Sequence, residues 1–119
     1  MTTILYGIPN CDTVKKARAW LADHDIAYEF HDYKKAGVPA AELQAWFAAF
    51  GWERVINRAG TSWRKLDEAA RAAVVDAASA AALAQAQPSV IKRPIVRWAD
   101  GRLSLGFKED LFAAHCSTA

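Results

Sequence analysis

At 119 residues with a net charge of +2, 53% hydrophobic and 24% charged content, the chain suits one globular domain with a real core. It does not suit a disordered segment. No apolar run approaches the length of a membrane span, and the start Met1-Thr2-Thr3-Ile4 has neither a basic region nor a signal core, so a cytoplasmic location is expected. The two cysteines, Cys11 and Cys116, lie far apart and without metal-ligand spacing; neither a disulfide framework nor a metal site is expected from them.

In chain order, residues 3–6 read as a short buried strand bounded by Gly7 and Pro9. Asp12 or Thr13 can cap a helix running to about residue 25, with Val14, Ala17, Trp20 and Leu21 on its apolar side. Residues 28–33 form a second strand. Gly37 breaks the chain, and Pro39 suits the first turn of a helix in which Leu43, Trp46, Phe47 and Phe50 share a buried face. Gly51 stops that helix, and residues 52–64 are irregular. Two alanine-rich helices follow, at about 67–77 and 80–87. Residues 94–98 and 102–106 are strands joined by an Ala99-Asp100-Gly101 turn, and a last helix at about 107–115 turns Leu111 and Phe112 inward.

The order β-α-β, several helices, β-β-α has a topological consequence. The first half requires a parallel pair joined by a right-handed crossover, and the Asp-Gly turn requires an antiparallel pair. One small domain holding both is an α/β domain with a mixed sheet of four strands. It spans residues 1–119, with a helical insertion at about 39–88. No apolar stripe remains once the core is assigned, so a monomer is expected. The basic residues are dispersed along the chain, and direct nucleic-acid binding is not expected.

Cys11 stands where a strand and a Gly-Ile-Pro-Asn turn give way to a helix. The reactive form of cysteine is the thiolate, and a free thiol with a pKa near ~8.5 is only a few per cent ionised at neutral pH. Unpaired N–H groups and the dipole at a helix start favour negative charge. A pKa lowered to about 6.5 makes roughly three quarters of the sulfur anionic at pH 7. Lys15, Lys16 and Arg18 assist if they fold back toward it. Asp12 opposes the anion, unless its carboxylate is used as the helix cap. Three residues on stands Val14, so there is no local cysteine pair. The oxidised sulfur must pass to a small thiol such as glutathione or wait for Cys116.

Three segments carry a resemblance. Gly7-Ile8-Pro9-Asn10-Cys11-Asp12-Thr13-Val14-Lys15-Lys16-Ala17, Asn57-Arg58-Ala59-Gly60-Thr61-Ser62-Trp63-Arg64-Lys65-Leu66 and Pro88-Ser89-Val90-Ile91-Lys92-Arg93-Pro94-Ile95-Val96 together resemble the ArsC/Spx family, in its YffB-like branch. The resemblance implies a thioredoxin-like fold and Cys11 as nucleophile. It places Arg58 and Arg93 where family arsenate reductases hold an oxyanion, and a guanidinium offers the paired donors that an oxyanion or carboxylate accepts. Asn10, Thr13 and Lys15, beside the thiol, join the candidate anion-binding residues. Pro94 is implied to be the cis-proline that faces the thiol. Arg64 fits either a cleft wall or a solvated face. Two departures stand out: Gly7 replaces a histidine of the arsenate reductases, and Gly106-Phe107-Lys108 lacks their third arginine.

The function implied is an ArsC-like thiol-dependent reductase. It binds no cofactor, uses glutathione as co-substrate, has glutaredoxin as a possible partner, and acts on a disulfide or an oxyanion. The alternatives are an Spx-like regulator binding RNA polymerase and a true arsenate reductase.

Overall fold

The computed structural model describes residues 2–117, with the side chain of Ser117 left out; Met1 and residues 118 and 119, which the expected single domain includes, lie outside the described residues. The chain divides into two compact units. One comprises the residues up to Ala36 together with those from Arg93 onward, and the other is Gly37–Lys92.

The first unit is built on four strands: β1 (Thr3–Gly7), β2 (Tyr28–Asp32), β3 (Ile95–Arg97) and β4 (Leu103–Leu105). Their order in the sheet is β2-β1-β3-β4. β1 runs parallel to β2, in a register that ends on Gly7 opposite Asp32. It runs antiparallel to β3, with Tyr6 opposite Ile95, and β3 is antiparallel to β4. The sheet is therefore mixed, as the element order implied. Between β3 and β4, Gly101 takes a positive φ of 90° that a side chain would strain. The Trp98 N–H donates across the turn to the Arg102 carbonyl at 2.8 Å.

Helix α1 (Asp12–Asp23) connects β1 to β2 and buries Val14, Ala17, Trp20 and Leu21. Four-residue α2 (Tyr33–Ala36) follows β2 directly. Residue 33, expected to end the strand, instead opens this helix. The Asp32 carboxylate accepts the N–H groups of Lys34 and Lys35 at 3.1 and 3.2 Å and so starts the turn. The last helix of this unit is Glu109–Ser117. From it Phe112 enters the core formed by Leu5, Val14, Ala17, Trp20, Leu21, Val96 and Trp98. The Phe112 ring meets Trp20, Trp98 and Phe107 edge-on, with centroids 5.5, 5.0 and 4.8 Å away, an arrangement aromatic quadrupoles favour.

The second unit is helical. It contains α3 (Ala40–Phe50), α4 (Trp52–Val55), α5 (Thr61–Arg64), α6 (Glu68–Ala72), α7 (Ala77–Ala86) and a 3-10 turn at Pro88–Val90; the helix of the first unit at Glu109–Ser117 is then α8. Pro39 precedes α3 as its cap rather than lying inside its first turn. Leu43, Trp46 and Phe47 are buried on α3, whereas Phe50, expected beside them, is only half-buried. The region expected to be irregular holds both α4 and α5. The two alanine-rich helices are shifted from the expected ranges. Asp67 caps α6 through the Ala70 N–H at 2.7 Å, and Asp76 with Ser79 forms a reciprocal cap that starts α7 at Ala77. Two backbone bonds, Asn57 N–H to the Val90 carbonyl and Lys92 N–H to the Val55 carbonyl, each 2.8 Å, tie the chain before the Asn57–Gly60 turn to the chain leaving the unit.

Candidate active site

The register brings three chain segments to one edge of the first unit's sheet. β1 and β2 both end there, on Gly7 and Asp32. β3 starts there, because Ile95 pairs with Tyr6, so Arg93 and Pro94 arrive at the same edge. Beyond Gly7 the chain turns through exposed Pro9 and Asn10 into α1. A Cβ on Gly7 would lie 2.9 Å from Cγ2 of Val14. The close approach of strand and helix therefore leaves no room at position 7 for a histidine, and the first departure from the arsenate reductases has a packing reason.

Cys11 itself is the N-cap of α1, with extended dihedrals of φ −149° and ψ 123°. Its carbonyl accepts the Lys15 N–H at 2.9 Å, the first bond of the helix. This corrects the expectation that Asp12 or Thr13 holds the cap. The thiol closes no cap hydrogen bond by ordinary length and angle, but the amides behind it still act on its charge. Partial burial pushes the Cys11 thiol up. The Val14 N–H, the Arg93 guanidinium, through both a hydrogen bond and its charge, and the Thr13 N–H push it down, and the net displacement is downward.

The cation acting on the sulfur is thus Arg93, not the basic cluster that follows it in sequence. Arg18 is occupied elsewhere: its Nε donates to the Tyr28 hydroxyl at 3.0 Å, and its guanidinium lies 4.2 Å from the Phe30 ring centre. Lys15 and Lys16 are exposed. Arg93 is half-buried. Burial works against its charge, but the neighbouring Cys11 sulfur and Tyr33 oxygen outweigh that, and its proton is held more firmly than usual. The Arg93–Pro94 peptide bond is cis, the isomer the family implies. Pro94 is buried, and its carbonyl accepts the Gly106 N–H at 2.8 Å.

The remaining candidates are placed as follows. Asn10 is exposed in the loop before the thiol, and Thr13 is exposed in the first turn of α1, where its backbone rather than its hydroxyl acts on Cys11. Arg58 belongs to the second unit. It is exposed there and stands 5.9 Å from the Trp52 ring centre. Its turn is closed by the Gly60 N–H on the Asn57 carbonyl at 3.1 Å. Gly60 is needed in that turn, since a Cβ would come within 2.8 Å of the Asn57 side-chain nitrogen. Arg64 donates to the Ala59 carbonyl at 2.9 Å, so its guanidinium braces the Arg58 turn. Among the described residues no three His, Cys, Asp or Glu side chains gather as a metal site.

Tyr33 is the participant that reading the sequence missed. It is fully buried, and its hydroxyl shares a hydrogen bond with Arg93. The signal available in the sequence was Asp32, a cap-forming residue at the end of a strand, which ends β2 one residue early and turns Tyr33 out of the strand pattern.

A thioredoxin-like sheet with an ionisation-prone cysteine heading its first helix defines a thiol-redox class of protein. Residues 6–115 match the model of the ArsC family, and the chain belongs to that family. An uncharacterized protein of Haemophilus influenzae is 42% identical over 110 residues, covering 92% of this chain and 95% of its own. The Spx global transcriptional regulator of Streptococcus agalactiae is 32% identical over 112 residues, covering 89% of this chain and 77% of its own. Among solved structures, the YFFB (PA3664) protein is 54% identical with a TM-score of 0.89, covering 96% of this chain and 98% of that one. An arsenate reductase related protein from Brucella melitensis is 53% identical with a TM-score of 0.73, covering 96% and 93%.

Proposed function

We propose that the protein is a glutathione-dependent thiol reductase in which Cys11 is the only nucleophile. The observation that carries this reading is a half-exposed cysteine at the start of α1, at the sheet edge where Arg93 arrives, with the Arg93 guanidinium and the Val14 and Thr13 N–H groups acting to favour its anion. The chemistry is two thiol–disulfide exchanges. The Cys11 thiolate attacks the glutathione sulfur of a mixed disulfide, a sulfur–sulfur bond forms on Cys11, and the substrate leaves as a thiolate that takes up a proton. A second glutathione thiolate then attacks the Cys11 adduct, releasing glutathione disulfide and restoring the anion. One glutathione thiol is consumed and one substrate thiol is released: the disulfide passes from the substrate to glutathione, and the proton lost by the entering glutathione balances the one taken up by the leaving substrate. Arg93 stabilises the sulfur anion and is a candidate to hold a carboxylate of glutathione. Asn10, Thr13, Lys15 and Arg58 are the further candidates for that anionic end, and Pro94 is the candidate edge for the bound thiol. Glutaredoxin is the proposed partner for removing the adduct.

The test is turnover of a glutathione mixed disulfide, with the adduct mapped by mass spectrometry. The reading predicts an adduct on Cys11 and none in Cys11→Ser. Turnover that survives in Cys11→Ser contradicts it.

The Spx likeness supports a second reading, a regulator that binds RNA polymerase. Position 14, where many Spx proteins carry the second cysteine of their redox pair, is here a valine fully buried against the sheet, so that switch has no counterpart. Binding measured with purified polymerase decides between the two. Arsenate reduction is the third reading, and an arsenate assay with glutathione and glutaredoxin tests it directly.

A further inference from the structure

Arg93 sits between two acids at the edge where β1, β2 and β3 meet: the Cys11 thiol and the Tyr33 phenol. Such a residue has many rotamers, and a single contact to a polarizable sulfur fixes its direction poorly. A second fixed acceptor on the same guanidinium removes most of that freedom. Tyr33 supplies a rigid one. Its ring is fully buried, and the Asp32 carboxylate, bonded to the N–H groups of Lys34 and Lys35, sets the helix turn from which it projects.

We propose that Tyr33 is the positioning residue of the site: its buried hydroxyl oxygen accepts from the Arg93 guanidinium and holds it against the Cys11 sulfur. The choice of a phenol has a physical logic. A carboxylate in the same place would also anchor Arg93, but it would offset the positive charge that the thiolate needs. Burial drives the Tyr33 hydroxyl far above its ordinary range; Arg93 pulls it back only in part, and the nearby Cys11 and Asp32 charges push with burial. Tyr33 therefore stays protonated and neutral while it accepts the bond. Of the two acids sharing Arg93, one is kept neutral and the other is eased toward its anion.

For its consequence on turnover this inference rests on Cys11 being the nucleophile; the titration of the sulfur does not. The experiment follows thiolate formation on Cys11 by the pH dependence of alkylation, in Cys116→Ser protein so that a single sulfur reports. Tyr33→Phe keeps the ring and removes the oxygen. It should raise the Cys11 pKa by about half a unit, leaving roughly three-fold less thiolate at pH values below it. In Arg93→Gln protein the pKa is already raised, and Tyr33→Phe should add no further shift. A purely structural role would lower the melting temperature alike in both backgrounds without moving the titration. A Tyr33→Phe titration that overlays the parent, or an equal shift in the Arg93→Gln background, overturns the proposal. A second measurement needs no variant. The Arg93 guanidinium N–H signals should be resolved and slow to exchange by NMR, and rapidly averaged signals contradict the anchoring.

Discussion

Cys11 and Cys116 occupy opposite ends of one sheet. Cys11 follows the C-terminal end of β1 and starts α1. Cys116 lines a cavity of about 160 Å³ with Thr3, where β1 begins, and with Ile26 and Trp98. A neighbouring cavity places it beside Trp20 and His24, at the far end of α1. The nine residues from Cys11 to Trp20 span about 14 Å of helix, against a Cα separation of at most roughly 7 Å for a disulfide. The two environments differ in kind. Around Cys11 are amide N–H groups and a guanidinium, and its thiol is displaced downward despite burial. The cavities beside Cys116 are lined by Trp20, Trp98 and Ile26 together with His24, Asp100 and His115, yet none of these polar groups acts on its thiol, and burial alone pushes it up. The contrast shows that burial does not decide a cysteine's reactivity; the donors aimed at the sulfur do.

Each end can be broken separately. The largest effect is expected from Cys11→Ser, which removes turnover of a glutathione mixed disulfide altogether, as a steady-state assay will show. Next, Arg93→Gln should reduce the thiolate fraction at neutral pH by about tenfold, since a charge-assisted bond is lost at a half-exposed site. The sign follows directly: with its folded pKa raised, Cys11 needs a higher pH to reach the same alkylation rate, and activity lost at neutral pH should partly return as pH increases. Phe112→Ala strikes the other end. It leaves a void among Trp20, Trp98 and Phe107 and should cost about 3–5 kcal/mol in denaturant unfolding without moving the Cys11 titration. Gly7→Ala forces a methyl group against Val14 and should cost about 1–3 kcal/mol by the same measurement. The smallest effect belongs to Cys116→Ser, which should retain most of the turnover. Loss of activity in that variant would show that the remote sulfur takes part after all.

The sequence made the sheet legible for simple reasons. A short apolar run ending in Gly and Pro, a helical spacing of Val14, Ala17 and Leu21, and an Asp-Gly turn each report on local geometry. Cys11 at the cap was less legible, because Asp12 and Thr13 are stronger cap formers and stand next to it. The site's cation was not legible by proximity. Lys15, Lys16 and Arg18 are close in sequence, but exposure and the Tyr28–Phe30 contact take them elsewhere. Family resemblance singled out Arg93. Its partner Tyr33 lies on another segment, and only the strand register brings the two together. The use of Arg64 to brace the Arg58 turn likewise depends on a backbone carbonyl that no residue pattern announces.

The most direct test is to alkylate the unmodified protein across a range of pH and to read each cysteine separately by peptide mass spectrometry. Cys11 should reach half of its maximal rate at a lower pH than Cys116, on opposite sides of an ordinary thiol. Coincident profiles, or Cys116 reacting at the lower pH, would contradict the account.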